Sequence, residues 1–223
     1  PFVPTVVASA VIATAGDDEL RAKVLPGLAD GSTVGAAALG GSVTVSGSTV
    51  TGDAGVVLGA ASASLLVVPV GDDVAVVDVR AADGAVSITS PPSLDPTRRS
   101  ARVSFDGAPA TIIPGARQVL TDLARVILAA DAVGVAREAT EMGAAYSKER
   151  IQFGRPIAMY QAVKHHCANM AVATELATSA VWDAAQAAKS GGDQLTYAAS
   201  VATTLAAPAA DLCANLNTQV HGG

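Results

Sequence analysis

Hydrophobic and polar positions follow three regimes along the chain. From residue 1 to 34 the pattern is helical. An Ala-rich apolar run from Val6 to Thr14 ends at Gly16. Asp17 or Asp18 then stands where it can cap a second helix over Glu19–Leu28, with acidic residues in its first turn and Pro26 near its end. From 35 to 115 short β-branched runs take over: Val43–Val45, Thr49–Thr51, Leu65–Val70, Val74–Val79, Val86–Thr89 and Ala101–Phe105. Gly, Ser and Asp separate them, and Ser46-Gly47-Ser48 signals a hairpin. This predicts a small antiparallel sheet or barrel of about five to seven strands. From 116 to 223 helical spacing returns, with Leu120, Leu123, Ile127, Leu128, Ala132 and Val135 on near-helical repeats. Further helices are expected over about 157–189 and 194–216. Gly191-Gly192 would stop the first of these and Asp193 would cap the second. Three long antiparallel helices, with a fourth expected beyond Gly223, predict a four-helix bundle.

Composition sharpens this picture in two ways. Half of the 223 residues are apolar, yet aromatics make up only 3%. The apolar share is mostly Ala and Val, which suits close helix packing and leaves apolar area for a neighbouring subunit. No apolar run reaches the ~18 residues that a membrane span needs. The net charge of -6 argues against nucleic acid as a partner. Cys167 and Cys213 fall in helical segments and read as buried free thiols. His165-His166-Cys167 are consecutive, so they point apart and form no metal site. The default location is cytoplasmic. The missing initial Met and the apolar opening suggest a chain cut at both ends.

The chemistry concentrates in Tyr146-Ser147-Lys148-Glu149-Arg150-Ile151-Gln152-Phe153-Gly154-Arg155-Pro156, followed by Gln161 and Lys164. This reads as the end of one helix, a tight turn that Gly154 lets close, and a new helix led by Pro156. An arginine, an amide and an aromatic ring at one helix end can clamp a phosphate-linked aromatic ligand. The rival reading makes Arg150 a helix-end cation and Phe153 a core residue. The segment resembles the Y-x-x-x-R-x-Q-F-G-x-P signature of the flavin-dependent acyl-CoA dehydrogenases. Gln219-Val220-His221-Gly222-Gly223 resembles the family's Q-x-x-G-G element, and Gly16–Gly31 is similar to a stretch near the end of its first helical domain.

The resemblance implies an α+β fold. Residues 1–34 would end an N-terminal helical domain, 35–115 would be a small antiparallel β-domain, and 116–223 a C-terminal helical bundle. It implies FAD as cofactor and an acyl-CoA thioester as substrate, desaturated between its α and β carbons. By the same resemblance Arg150, Gln152 and Phe153 would lie at the FAD pyrophosphate of a neighbouring subunit, with Gln219, Gly222 and Gly223 at the adenosine end. Guanidinium grips phosphate bidentately, and paired glycines allow a backbone to approach a ligand.

Two parts of the family's site have no match. The run Ala36-Ala37-Ala38-Leu39-Gly40-Gly41-Ser42-Val43 stands where the family carries its flavin-ring loop A-L-T-E-P-x-A-G-S-D, and it is shorter and lacks the acid and the proline. Gly55-Val56-Val57-Leu58-Gly59 stands in place of the W-[IV]-[ST] strand. Ala124 occupies the bundle position, just before Arg125, where some members carry the glutamate base; most members place that base beyond the position of Gly223. Asp122 lies on another helix face, and Asp131 reads as a polar contact within the bundle. Trp182 and Met170 read as core, and His221 as either a ring near adenosine or a polar end. Asp95-Pro96-Thr97-Arg98-Arg99 is similar to a D-x-T-R-R element of the family. The profile implied is that of the subunit of a hetero-oligomer (α2β2) that supplies no base, paired with a homologous acyl-CoA dehydrogenase subunit and acting on bulky substrates such as steroid side-chain CoA thioesters. The alternatives are an ordinary homo-oligomer whose glutamate follows Gly223, and a flavin-free structural relative.

Overall fold

The computed structural model describes residues 2–222. The chain divides into two compact units, Pro1–Ala124 and Arg125–Gly223.

The first unit opens with α1 (Phe2–Ala15) and α2 (Asp18–Asp30). Asp17 is the cap of α2: its carboxylate accepts from the Leu20 amide at 2.8 Å, a contact that contributes about 1 kcal/mol. The helix continues past Pro26 to Asp30, and Gly31 ends it in the left-handed conformation, with φ of 81°.

Eight strands follow: β1 (Gly35–Ala37), β2 (Ser42–Ser46), β3 (Thr49–Val57), β4 (Leu65–Val70), β5 (Asp73–Asp78), β6 (Val86–Thr89), β7 (Ala101–Pro109) and β8 (Thr111–Ile113). They form two four-stranded sheets rather than one, in the orders β1-β4-β5-β8 and β2-β3-β7-β6. β4 is buried along its whole length, which is why it reads as an unbroken apolar run. Its Leu66 and Val68 pack in one core with Val50, Val77, Val103 and Phe105. The pairings are antiparallel except β1 with β4, which is parallel. β1 and β8 carry three residues each, too few to show an alternation. The run expected to be a loop from Ala36 to Val43 therefore shrinks to Ala38–Gly41, because its ends belong to β1 and β2.

The helices of the second unit are α3 (Arg117–Glu149, which begins in the first), α4 (Gln161–Ala187) and α5 (Gly192–His221). Between α3 and α4 lie a two-stranded ribbon, β9 (Ile151–Gln152) with β10 (Arg155–Pro156), and a 3-10 turn at Ile157–Met159. The expected single helix from 157 is thus broken at Tyr160. α5 runs alongside α3 in the same direction: Arg125 Nη1 donates to Ser200 Oγ at 3.2 Å, and Asn217 Nδ2 to Met142 Sδ at 3.4 Å. The contact faces are alanine. Ala177, Ala184, Ala199, Ala202 and Ala206 are fully buried, so the helices pack closely. A small polar cluster sits among them. Thr140 and Thr174 share a hydrogen bond at 3.2 Å, and the Cys213 thiol lies against both.

Three expectations need correction here. Asp193 does not cap α5: Gly191 holds the cap position, and Asp193 sits in the first turn, where its charge suits the helix dipole. Trp182 is 65% exposed rather than core: it borders an open cavity between α4 and α3, with Val133 and Arg137 on the other side. Cys167 is only half-buried, while Cys213 is buried as expected.

Candidate functional site

The second unit gathers its distinctive chemistry at one end, where α3 and α5 finish and α4 begins. The ribbon after α3 turns through Phe153 and Gly154, both left-handed, with φ of 52° and 78°. Two successive positive φ values are what a two-residue hairpin needs to match strand twist. Gly154 adopts this freely. Phe153 does not: a bulky residue there costs on the order of 1–3 kcal/mol. Its ring is nonetheless 93% exposed. A strained backbone that holds an aromatic ring in solvent is not built for packing.

Arg150 follows the last residue of α3. Its amide donates to Tyr146 O at 2.9 Å, and its carbonyl accepts from Ile157 N at 2.9 Å. The backbone is therefore fixed, while the side chain is exposed and its guanidinium makes no hydrogen bond or ion pair among the described residues. Gln152 is exposed, and its Nε2 donates to the adjacent Ile151 carbonyl at 2.8 Å. At the far end of α5, Gln219 is exposed and engaged, and its carbonyl accepts from the Gly222 amide at 3.1 Å. Gly222 caps the helix with φ of 94° and open space where a Cβ would stand. Gly223 lies outside the described residues.

One contact ties these two elements together. The Tyr146 ring stacks on His221, with centroids 4.0 Å apart and planes 24° from parallel. Tyr146 lies one turn before Arg150, and His221 directly precedes Gly222. His221 Nδ1 is also 2.8 Å from Asn217 O. The arginine-bearing ribbon and the Gln219–Gly222 turn are thus anchored at the same end of the bundle. Two helix C-termini would by themselves repel an anion. Arg150, Arg155, Lys148 and the uncapped first turn of α4 supply the opposite sign. A phosphate-bearing ligand with a flat ring fits this set of groups: a free guanidinium, an open glycine turn and an exposed aromatic.

At the bundle position weighed for a general base stands Ala124, which carries no carboxylate. Ala124 is buried. Asp122 is buried and accepts from Gln118 Nε2 at 2.9 Å, and Asp131 is half-buried and engaged. In the first unit, Asp53 accepts from the Gly55 amide at 2.6 Å and pairs with Arg102 at 3.0 Å. The Gly55 amide, chiefly, and the Arg102 guanidinium hold its carboxyl below the usual range.

Comparison with known proteins identifies the surroundings. Residues 114–223 match the family model for the acyl-CoA dehydrogenase C-terminal domain. Acyl-CoA dehydrogenase FadE34 of Mycobacterium tuberculosis is 38% identical over 227 residues, an alignment that covers all of this chain and 31% of FadE34. The chain belongs to the acyl-CoA dehydrogenase family. Acyl-CoA dehydrogenase IpdE2 of Mycolicibacterium smegmatis is 36% identical over 132 residues, which cover 59% of this chain and 40% of that protein. Among solved structures, the Tcur3481-Tcur3483 steroid ACAD superposes with a TM-score of 0.90 at 32% identity, over all of this chain and 65% of that one. The ChsE4-ChsE5 complex from Mycobacterium tuberculosis has a TM-score of 0.88 at 24% identity, over all of this chain and 65% of that one, a likeness of fold. The mixed fold of helices and small sheets is therefore an acyl-CoA dehydrogenase fold, and members of this family are FAD-dependent oxidoreductases. The chain spans less than half the length of the curated relatives FadE34 and IpdE2.

Tyr160 did not stand out in the sequence, and Arg155 stood within the singled-out segment with no role of its own. Arg155 lies over the Tyr160 ring at 4.3 Å, and the Tyr160 hydroxyl reaches back to the ribbon. The only sequence signal was an aromatic residue directly before the α4 pattern, which is indistinguishable from a core position.

Proposed function

We propose that this chain is a subunit of an FAD-dependent acyl-CoA dehydrogenase that contributes the cross-subunit half of the FAD site and no catalytic base. The observation that carries the proposal is the Tyr146–His221 stack, which seats Arg150 and the Gln219–Gly222 turn at one end of the bundle. Arg150, Gln152 and Phe153 would hold the pyrophosphate of FAD bound chiefly by a homologous partner. Gln219, Gly222 and Gly223 would meet its adenosine. FAD, when bound, supplies the acceptor for the β-hydride of the acyl-CoA thioester. This chain's residues bind and orient. Arg150 offers two parallel donors to phosphate oxygens, and Gly222 leaves a path for close backbone approach. The carboxylate that removes the α-proton would belong to the partner, since Ala124 leaves the bundle position empty of one.

An assembly of two homologous chains, α2β2, fits the paired name of the steroid ACAD that this chain resembles at 32% identity. The same likeness supports a steroid side-chain CoA thioester as substrate. A second reading, a homo-oligomer with its glutamate supplied from beyond Gly223, draws on the chain's covering only 31% of FadE34. Co-expression with the homologous subunit, followed by measurement of bound FAD and acyl-CoA oxidation for the pair and for each chain alone, tests the proposal. The pair should hold FAD and turn over. Full activity of this chain alone would refute it.

A further inference from the structure

We propose that Tyr160 is the positioning residue of this half-site: it holds the strained ribbon in the shape that presents Arg150, Gln152 and Phe153 to a phosphate-bearing cofactor. The inference rests on the flavin reading given above.

The ribbon has little else to hold it. β9 and β10 pair over only two residues each, Ile151 with Pro156 and Gln152 with Arg155. Pro156 has no amide to donate. An isolated ribbon of this length is not stable in water, and this one also carries Phe153 in a backbone region that bulky side chains avoid. Such a conformation persists only where its surroundings over-determine it.

Tyr160 makes three contacts that do so. Its hydroxyl donates to Gln152 O at 3.1 Å. Its ring meets the Phe153 ring edge to face, 6.4 Å between centroids and 87° between planes. The guanidinium of Arg155 lies 4.3 Å above its centroid. One side chain thus touches three of the four residues Gln152–Arg155. Tyr160 itself is fixed from both sides of the chain: its amide donates to Ile157 O at 3.0 Å, and its carbonyl accepts from Lys164 N at 3.1 Å as α4 starts. Tyr160 therefore links the rigid first turn of α4 to the strained tip of the ribbon. Its side chain reaches Gln152 and Arg155, which flank the tip, and makes no hydrogen bond with Arg150. Its effect on a phosphate ligand would come through geometry alone.

The test uses the assembled complex of this chain with its homologous subunit. Tyr160→Phe removes the hydroxyl bond and keeps both ring contacts; Tyr160→Leu removes all three. Arg150→Ala serves as the control for the flavin reading. FAD affinity is measured by titration of flavin-stripped complex, and hydrogen exchange of the ribbon amides is measured without flavin. Tyr160→Leu is expected to weaken FAD about tenfold and to speed exchange at 151–155, with the melting temperature and oligomeric state unchanged. Tyr160→Phe should lie between Tyr160→Leu and the parent in both readouts. Unchanged FAD affinity and exchange in Tyr160→Leu, with Arg150→Ala losing FAD, would overturn the role given to Tyr160 and leave the flavin reading standing. Retention of FAD by Arg150→Ala would overturn both. If Tyr160→Leu fails to assemble, Tyr160→Phe decides: faster exchange with weaker FAD supports the role, and parental values in both refute it.

Discussion

Two regions of this chain differ in kind: the end of the helical bundle in the second unit and the segment between β1 and β2 in the first. In the second unit the end of the bundle carries a free arginine, an exposed aromatic ring on strained backbone and an open glycine cap. In the first unit the segment between β1 and β2 is four small or apolar residues, Ala38–Gly41, with no carboxylate, hydroxyl or amide side chain. Gly41 there lies so close to β3 that a Cβ would stand 2.6 Å from Asp53 O, while Leu39 and Gly40 are exposed. One region presents polar and aromatic groups to solvent on strained backbone, and the other offers no polar side chain. The two regions are built from separate elements, so the side chains of one can change without those of the other.

The largest expected effect lies in the first unit, in β3. Gly52 has φ of 132°, and a Cβ on it would collide with the Ser42 carbonyl. Gly52→Ala should cost at least about 3 kcal/mol and unpair β2 from β3. A denaturant melt checks this, and loss of FAD from the complex should follow only as the fold is lost. Next is Arg150→Ala at the end of the bundle. Removal of a bidentate phosphate contact should cost about 1.5–3 kcal/mol of FAD affinity with no change in the melt. The two variants together separate fold from binding. Ala202→Leu, in the alanine face of α5, should destabilise the bundle by about 1–3 kcal/mol through overpacking, read by thermal unfolding.

The smallest effect concerns Asp53. Its folded pKa is depressed, so its contribution is present above the unfolded carboxylate value and is lost as pH falls through the folded one. Asp53→Asn should therefore remove a small contribution at neutral pH and flatten the fall in stability that the parent shows as pH drops through and below the ordinary Asp range. An equal acid slope in parent and variant would show that the Gly55 and Arg102 contacts carry no linkage.

Much of the fold was legible in the sequence, and the reasons are local. Val86–Thr89 and Leu65–Val70 announced their strands through β-branched runs, and Asp17 announced a helix start. Gly35–Ala37 did not, since Gly-Ala-Ala has no strand preference and gains its place only by pairing in parallel with β4. Trp182 misled because a large ring on a helix is usually buried, whereas here the small side chains of Ala177 and Ala184 take much of α4's buried face and Trp182 is 65% exposed. At the candidate site the sequence offered Arg150, Gln152, Phe153, Gln219 and Gly222 as two separate motifs. It held no sign that Tyr146 and His221 would stack, or that Tyr160 would fold back on the ribbon, because both contacts depend on how the helices are arranged in space.

The central claim is that this chain lends half a flavin site and no base. Flavin content measured by absorbance against protein concentration in the purified assembly tests it most directly. One FAD for every two chains is expected, bound only when the homologous subunit is present. One FAD per chain, in a homo-oligomer that oxidises an acyl-CoA unaided, would contradict it.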